Sequence, residues 1–240
     1  MLITSVCDQS IELPSQPISI DMKANGVGFT ASVPENEIFR VNQIFKENTY
    51  AILSRRSYSG PRVIMDVGAN IGLFAIYMKC IDPAAEVHCF EPYEGALSLL
   101  ASNIEPFQNI YVHPYGLYTG EREARLHLHR FNSGENSIKF QDHHYHRSAA
   151  VQLRDAGSAV DKLELEHIDV LKIDTEGCEV EILESLGDRL YDIDYVLIEY
   201  HSEKDRRRID RLLHPFCVFA ARSDQIGVGT INYVNTRLNP

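Results

Sequence analysis

The 240-residue chain is 44% hydrophobic and carries a net charge of −11, which suits one sizeable domain with a full hydrophobic core. Because such a surface repels phosphate backbones, we expect no nucleic-acid partner. The sequence has no apolar stretch near the roughly 18 residues that a membrane span needs. It also has no recognisable signal peptide and no CxxC pair among its 5 cysteines, so we expect a cytoplasmic protein without a membrane span.

The N-terminal part of the chain is expected to be rich in short strands. Residues 1–35 alternate apolar and polar residues between Pro and Gly breaks, as in "SIELPSQPISIDM" and "GVGFTASV". The stretch "ENEIFRVNQIFKENTYAILSRR" then carries apolar residues at helical spacing. We therefore divide the chain into a β-rich N-terminal extension over residues 1–35 and a main domain over residues 36–240.

From residue 62 onward, buried strands and helices alternate. The predicted strands are "RVIMDV", "EVHCFEP", "NIYVHPYGL", "IDVLKIDT" and "DYVLIEYH", and a helix follows each of them except the third. After the third strand, "EARLHLHRF" alternates like a hairpin strand, a polar loop follows, and "AAVQLRD" is a further short strand. Two strands, "FCVFAA" and "GTINYVNT", come last. Apolar runs without alternation are typical of a parallel sheet covered on both faces, so the predicted fold is a doubly wound α/β domain.

The stretch "VIMDVGANIG" predicts a strand, a glycine turn and the start of a helix, an arrangement that binds nucleotide-like ligands. Dinucleotide-binding turns read G-x-G-x-x-G, but here Asn70 stands where the second glycine approaches the pyrophosphate. Asp66 before the turn repels phosphate and suits an ammonium group, directly or through water. Glu91, at the end of the second strand, suits the ribose hydroxyls of either ligand class. A ligand with a ribose, an ammonium and no phosphate fits best, which predicts S-adenosylmethionine as the cofactor.

The segment "DHHYH" raises the question of a metal site. Asp142, His143, His144 and His146 lie close together in a polar loop. Adjacent histidines rarely both reach one ion, and the sequence has no second cluster at metal-ligand spacing. We therefore expect no metal site here and interpret the segment as a solvated or substrate-facing loop.

Three blocks of the sequence, in this order, resemble the FkbM family of S-adenosylmethionine-dependent methyltransferases: "VIMDVGANIGLFAIYM", "VHCFEPYEGALSLLASNI" and "IDVLKIDTEGCEVEILESL". The resemblance covers roughly residues 60–202. It implies the class I methyltransferase fold, a Rossmann-like doubly wound sheet of seven mostly parallel strands with an antiparallel last strand. It also implies O-methylation of a small-molecule acceptor with a free hydroxyl, such as a sugar, a glycolipid or a polyketide.

The resemblance assigns roles to residues at the ends of the predicted strands. The expected cofactor-binding residues hold the methionine end, the ribose and the adenine, and they are Asp66, Gly68, Asn70, Gly72, Glu91, Pro92, Tyr115 and Gly116. The expected substrate-side residues are Asn136 and Ser137, in the polar loop before the fourth strand, and Glu199 after the fifth. The alternative is that Asn136 and Ser137 are ordinary loop residues. The chain departs from the family pattern at "VQLRDAGSAV", which leaves the neighbouring substrate loop unassigned.

The implied methyl transfer needs in-line alignment and a base for the acceptor proton. His201 is the first candidate base, because an imidazole titrates near neutral pH. Asp174 is the second candidate, and it suits equally a role beside the sulfonium or the acceptor hydroxyl. Glu176 completes the expected catalytic set as a carboxylate that positions the base. The alternatives are that Glu176 caps the following helix and that His201 is a strand-end histidine satisfied by backbone.

Two other functions are compatible with this fold. An NAD(P)-dependent oxidoreductase is disfavoured by Asn70 in the turn and by the absence of a Tyr-x-x-x-Lys catalytic pair. A non-catalytic cofactor-binding protein would keep the glycine turn and bind the cofactor without turnover. The sequence determines neither the identity of the acceptor nor the oligomeric state.

Overall fold

The computed structural model describes residues 16–47, 49–50, 62–140 and 144–238. The strands predicted before residue 16 lie outside this description. The predicted N-terminal helix is shorter in the structure, where it ends at Phe45, and residues 51–56 of the prediction lie outside the description.

Strands and helices alternate through most of the chain. The strands are β1 (Pro17–Ala24), β2 (Val27–Pro34), β3 (Val63–Val67), β4 (Glu86–Phe90), β5 (Ile110–His113), β6 (Gly116–Tyr118), β7 (Arg122–His129), β8 (Tyr145–Asp155), β9 (Ile168–Ile173), β10 (Ile193–Tyr200), β11 (Phe216–Gln225) and β12 (Val228–Asn235). The α-helices are α1 (Ile38–Phe45), α2 (Leu73–Ile81), α3 (Glu94–Ile104), α4 (Ala156–Lys162), α5 (Glu179–Leu186) and α6 (Glu203–Leu212).

The central sheet has seven strands in the order β11-β12-β10-β9-β3-β4-β5. The strands β3, β4, β5, β9 and β10 run parallel, whereas β12 is antiparallel to both β10 and β11. The chain leaves β3 first towards β4 and β5 and later returns to β9 and β10 on the other side. The carboxyl ends of β3 and β9 therefore flank the point where strand order reverses, which is where ligands bind in open α/β sheets. This topology confirms the predicted class I methyltransferase fold.

Helices cover both faces of the central sheet, as the apolar runs predicted. The helices α1, α2 and α3 pack on one face together with the β1–β2 hairpin, whereas α4, α5 and α6 pack on the other. Because β9 and β10 lie between two helical layers, nearly all of their side chains are buried. The helices in the described part of the chain are too short or too polar to span a bilayer.

The predicted third strand, "NIYVHPYGL", is two strands in the structure. The strand β5 ends at His113 in the central sheet, and Pro114, which has no N–H to donate, separates it from β6. The strand β6 belongs to a second, three-stranded sheet in the order β6-β8-β7. The predicted short strand "AAVQLRD" is the second half of β8 in the same sheet.

The N-terminal extension contains a β1–β2 hairpin. Asn25 and Gly26 at its turn both have positive φ, at 48° and 86°, which is the two-residue turn that matches the twist of a hairpin. Apolar side chains that alternate along β2 are buried in the core beside α2 and α3. The predicted strands are confirmed for this segment, whereas the domain boundary at residue 35 stays a prediction.

One buried amide joins the hairpin to the glycine turn. The Nδ2 group of Asn103 on α3 donates to the backbone oxygens of Ser32 (3.0 Å) and Ile71 (2.9 Å), and its Oδ1 accepts from the N–H of Ser32 (2.7 Å). Because Asn103 is only 2% exposed, water cannot easily replace these bonds. The amide therefore fixes the position of the hairpin relative to the turn after β3.

We expect Asn103→Ala to lower the free energy of unfolding by about 1–3 kcal/mol, because it leaves buried backbone groups of Ser32 and Ile71 without these partners. Urea denaturation followed by circular dichroism measures the change. The control is Ser102→Ala at the exposed neighbouring position of α3, where we expect a change below about 0.5 kcal/mol. Equal losses in the two variants would contradict the role given to Asn103.

Candidate active site

The turn after β3 has a backbone conformation that few residues adopt. Gly68, Asn70 and Gly72 have positive φ, at 80°, 47° and 85°. Glycine adopts this region without strain, and asparagine is among the few other residues that tolerate it. The N–H groups of Gly68 and Ala69 both donate to the carbonyl of Phe90, at 3.0 and 3.1 Å. The turn therefore links the carboxyl ends of β3 and β4. Asn70 fits the turn because asparagine tolerates its positive φ.

Gly68 packs directly against the end of β9. A Cβ at this position would collide with the backbone carbonyl oxygen of Asp174. The carbonyl of Gly68 accepts a hydrogen bond from Nζ of Lys172, at 2.8 Å. The close approach of two strand ends is therefore what requires glycine here.

Lys172 is a buried cation between two carboxylates. Its Nζ lies 3.2 Å from Oδ1 of Asp66 and 3.6 Å from Oδ2 of Asp174. Burial lowers the pKa of this ammonium, but the charges of Asp66 and Asp174 outweigh it and raise the pKa above its usual value. Burial also raises the pKa of Asp66, although Lys172 opposes this. Because Asp66 is fully buried behind the turn, its predicted contact with the cofactor stays a prediction.

Glu91 joins the glycine turn to the segment after β4. Its Oε2 accepts from the N–H of Asn70 and its Oε1 from the N–H of Tyr93, each at 2.8 Å. Burial raises the pKa of Glu91 to about 7, although these two hydrogen bonds lower it. Each carboxylate oxygen has a second acceptor site, so an ionised Glu91 is still able to accept from two ligand hydroxyls.

Two clefts open at the carboxyl edge of the central sheet. The apolar cleft, of ≈ 690 Å³ including space open to solvent, has apolar walls that include Val67, Phe90, Leu117, Leu126, Ile138 and Leu153. The polar cleft, of ≈ 950 Å³ measured in the same way, has a lining that includes Gln43, Tyr50, Glu199, Arg222 and Thr230. Both clefts are lined by Arg40, Gly68, Asn70 and Asp174, which we call the junction.

The structure brings most of the predicted cofactor-binding residues together around the apolar cleft, namely Gly68, Asn70, Glu91, Pro92 and Gly116. Gly72 lies against α3, where an added Cβ would come within 3.2 Å of Ile104. Tyr115 is buried, with the guanidinium carbon of Arg154 3.9 Å from its ring centroid. Gly72 and Tyr115 support the cleft from behind, and their contacts with a cofactor stay predictions.

The three predicted substrate-side residues lie in different surroundings. Asn136 lines the apolar cleft, and its Oδ1 accepts from a neighbouring backbone N–H at 2.8 Å. Ser137 is fully buried, and its Oγ donates to the backbone oxygen of Glu176 at 2.7 Å. It therefore holds the polar loop against the segment after β9. Glu199 lines the polar cleft.

Asp174 and Glu199 are neighbouring carboxylates with different proton affinities. Burial raises the pKa of Asp174, but the charges of Lys172 and Arg40 outweigh it and hold the pKa below its usual range. The hydroxyl of Tyr50 also donates to Oδ2 of Asp174, at 3.3 Å. Burial, reinforced by the charge of Asp174, raises the pKa of Glu199 to about 8. Asp174 is therefore ionised at neutral pH, whereas Glu199 retains its proton to a higher pH than Asp174 does.

His201 lies between two carboxylates and lines neither cleft as the described residues form them. Its Nε2 is 3.0 Å from Oε2 of Glu176, and its Nδ1 is 3.3 Å from Oε1 of Glu179. Burial lowers the pKa of the imidazole, but the adjacent carboxylates of Glu176 and Glu179 raise it to about 12. The ring is therefore a cation at neutral pH. An imidazolium has no free nitrogen to accept a proton, which argues against His201 as the base.

Glu179 accepts hydrogen bonds from the backbone just before α5. This is the capping role that was the alternative for Glu176. Oε1 of Glu179 accepts from the N–H groups of Gly177 (2.9 Å) and Thr175 (3.2 Å). Glu176 has φ +53°, a left-handed conformation that is uncommon outside glycine, and its carboxylate pairs with His201 instead. The backbone before α5 therefore directs the side chain of Glu176 away from the cap position.

Asp174, Glu176 and His201 each present one potential metal-ligand atom, and the three atoms lie within 4.8 Å of one another. A metal ion binds the neutral imidazole, whereas both nitrogens of His201 face carboxylates here. The pairing with two carboxylates favours a protonated His201 over a His201 that binds a metal ion. That the protein needs no metal stays an expectation. In the histidine-rich loop, Asp142 and His143 lie outside the described residues.

A model of the FkbM methyltransferase domain matches residues 66–220 of the chain. The chain belongs to the FkbM methyltransferase family. This confirms the resemblance that the three sequence blocks indicated. The match begins at Asp66 in the strand before the glycine turn, and it includes every predicted site residue through His201.

Three known proteins show how far the similarity of the chain extends. Hexuronic acid methyltransferase AglP of Haloferax volcanii is 24% identical over 200 residues, which are 82% of this chain and 80% of AglP. The AMB antimetabolite synthetase AmbE of Pseudomonas aeruginosa is 29% identical over 181 residues, 60% of this chain but 8% of AmbE. The crystal structure of methyltransferase FkbM from Methylobacillus flagellatus shares the fold, with a TM-score of 0.57 and 15% identity over 78% of this chain and 47% of that chain. The chain thus spans less than half of the length of two of these proteins.

S-adenosylmethionine, the predicted cofactor, is the one that FkbM methyltransferases use, and the apolar cleft fits it. Glu91 has acceptor capacity for ribose hydroxyls beside apolar walls that suit a nucleobase. An added Cβ at Gly116 would come within 2.8 Å of Leu153, so glycine keeps this wall open. At the junction, the guanidinium of Arg40 makes one hydrogen bond within the described part of the chain and lines both clefts, so it has further N–H donors for a polar ligand group.

The sequence did not identify four residues that build this site: Glu37, Arg40, Lys172 and Glu179. A signal existed for Lys172, because a lysine inside the apolar run "IDVLKI" is rarely buried unless it is paired. Glu37 and Arg40 gave no signal, since charged residues around the start of an amphipathic helix are ordinarily solvated. Both are covered by residues 132–134, a loop that is distant in the sequence.

We expect Gly68→Ala to destabilise the protein by about 3 kcal/mol or more, because strain at positive φ adds to a collision with the backbone of Asp174. Gly120→Ala is the matched control, since its φ is +72° but no atom lies within 4 Å of an added Cβ. There we expect a loss of about 1–2 kcal/mol. Thermal unfolding of both variants measures the difference, and equal melting temperatures would contradict the contact between β3 and β9.

Proposed function

We propose that this protein is an S-adenosylmethionine-dependent O-methyltransferase that acts on a hydroxyl of a polar small molecule, such as a sugar, a glycolipid or a polyketide. The junction of the two clefts is the observation that carries this proposal. Glu91 would hold the ribose of the cofactor, and Asp174 would lie beside its methionine end. An acceptor in the polar cleft would reach Asp174 from the other side, which is the approach that an in-line transfer requires.

The polar cleft suits an acceptor that carries many hydroxyl groups. Its lining offers amide and hydroxyl side chains from Gln43, Thr49, Gln225 and Thr230, which both donate and accept hydrogen bonds. The name of the relative AglP, a hexuronic acid methyltransferase, supports a sugar as the acceptor. A polar acceptor also explains why one cleft has apolar walls and the other offers amide and hydroxyl groups.

The cofactor supplies a methyl group on a positively charged sulfur, and the protein supplies the charges around it. Asp174 is ionised at the junction, where its negative charge stabilises a cation. Tyr50 donates a hydrogen bond to this carboxylate and Lys172 lies beside it, so its orientation is fixed before any ligand arrives.

Glu199 is the residue that we propose as the base for the acceptor proton, in place of His201. Its carboxylate lines the polar cleft and makes no hydrogen bond within the described part of the chain. A pKa of about 8 gives it the proton affinity that a general base needs near neutral pH. His201 then acts as a positioning residue, because its cationic ring holds Glu176 and Glu179 in place.

Two alternatives make different predictions. A dinucleotide-dependent oxidoreductase needs a close approach to the turn at Asn70, whose side chain already contacts Glu37 and Ser133. A non-catalytic protein would bind S-adenosylhomocysteine without methylating any acceptor. Calorimetric titration with S-adenosylhomocysteine and with NADH distinguishes a methyltransferase from an oxidoreductase by which of the two ligands binds. Turnover of an acceptor distinguishes an enzyme from a non-catalytic protein.

We expect transfer of labelled methyl groups to sugars and hydroxylated metabolites, with S-adenosylhomocysteine formed in equal amount. The products should resist mild alkali, because a methyl ether is stable there and a methyl ester is not. A uronic acid and its reduced neutral sugar form the matched pair of acceptors. Alkali-labile label on the uronic acid alone would contradict hydroxyl methylation, and binding without turnover across the panel would contradict an enzyme.

We expect kcat/KM to rise with pH and to level off above an apparent pKa of about 8, because Glu199 accepts a proton only when it is ionised. Glu199→Gln should lower kcat by about 100- to 10,000-fold and remove this rise. His201→Asn should keep the rise. The control Glu166→Gln changes an exposed carboxylate at the opposite edge of the sheet and should leave the profile unaltered. A rise that persists in Glu199→Gln would remove Glu199 as the base.

A further inference from the structure

Arg40 on α1 is a cation at the junction with donors to spare. Its Nη2 donates to Oδ1 of Asn132 at 3.1 Å, which is its only hydrogen bond within the described part of the chain. Its Nε lies 3.6 Å from Oε2 of Glu37 but is buried without a hydrogen bond. The side chain lines both clefts. A guanidinium in this state is able to bind an anion that enters the junction.

The surroundings of Arg40 hold its guanidinium in one position. Glu37, which is 1% exposed, accepts at Oε1 from the N–H and Oγ of Ser133, at 2.8 and 2.7 Å. Its Oε2 lies 3.4 Å from Nδ2 of Asn70 in the glycine turn. An added Cβ at Gly134 would collide with the guanidinium, so the loop lies directly on it. Arg40 is thereby tied to the turn that faces the cofactor.

The other cations that line these clefts, among the residues described, are already engaged. Lys172 donates to the carbonyl of Gly68 and lies beside Asp66. Arg222 pairs with Glu47 at the outer side of the polar cleft. A ligand carboxylate at the junction would otherwise meet the carboxylate of Asp174, which repels it. Arg40 is therefore the cation that suits such a group.

We propose that Arg40 binds the carboxylate at the amino-acid end of the cofactor, with Glu37 and Gly134 positioning its guanidinium. The inference rests on the proposed use of S-adenosylmethionine. The amino-acid end of this molecule is a zwitterion, and the junction offers one charge for each of its groups: Asp174 for the ammonium and Arg40 for the carboxylate. Because Arg40 is linked to Asn70 through Glu37 and lines the apolar cleft too, it serves the cofactor rather than the acceptor.

Two ligands that differ only in this carboxylate test the proposal. Calorimetry with the full chain compares S-adenosylhomocysteine with its decarboxylated analogue. We expect Arg40→Gln to weaken binding of S-adenosylhomocysteine about 10- to 100-fold and to change binding of the analogue less than about 2-fold. Arg40→Lys should lose less, because it keeps the charge but not the fork of donors. Lys46→Gln removes an exposed charge just after α1 and is the matched control, with no change expected.

A positioning role for Glu37 predicts a smaller loss of the same selectivity. Glu37→Gln should lower the preference for S-adenosylhomocysteine over the analogue, whereas a general loosening of the cleft would weaken both ligands alike.

The remaining outcomes overturn the proposal in distinguishable ways. Equal losses for both ligands in Arg40→Gln would make Arg40 a structural residue. Unchanged binding of S-adenosylhomocysteine with a raised KM for the acceptor would assign it to the acceptor. If the unaltered protein bound neither ligand, the cofactor assignment itself would fail, and this inference with it.

Discussion

The buried ammonium of Lys172 is the interaction on which the rest of the site depends. It joins the carboxyl ends of β3 and β9 through the carbonyl of Gly68 and the carboxylates of Asp66 and Asp174. Burying a lone charge costs several kcal/mol, so the lysine and its carboxylates are stable here only as a group. Because Gly68 allows the two strand ends to touch, the group closes the sheet at the point where strand order reverses. The charges of Lys172, Asp66 and Asp174 at this point are therefore paired with one another.

This arrangement decides where protons reside in the site. Asp174 stays ionised beside Lys172, and its negative charge helps burial to keep a proton on Glu199. A different pair of carboxylates, Glu176 and Glu179, keeps His201 charged. The neighbouring carboxyl groups of Asp174 and Glu199 thus acquire different pKa values from the protein alone. The junction also contains one cation, Arg40, and one anion, Asp174, which is the pair of charges that the proposed zwitterionic ligand needs.

The fold and the position of the apolar cleft were largely predictable from the sequence, because they follow from local rules. The buried runs without alternation indicated parallel strands, and the positions of Gly68, Asn70 and Glu91 at strand ends indicated the binding edge. The prediction failed where a local break decided the structure, as at Pro114, which ends β5 and sends β6 into a second sheet. The position of Arg40 at the junction was not predictable, since it is in contact with a loop about 90 residues later in the chain.

The sequence by itself determined the sheet, the glycine turn, the family and the place of Glu91 at the end of β4, because periodicity, positive φ and strand-end position are properties of short segments. Only the tertiary structure decided which of several acidic and basic side chains is charged, which faces a cleft and which lies behind it. His201 illustrates the reason: an isolated imidazole titrates near neutral pH, but two carboxylates from the segment around α5 raise the pKa of this one to about 12. Proton affinity depends on burial and on charges brought together across the fold, and a linear sequence does not contain those distances.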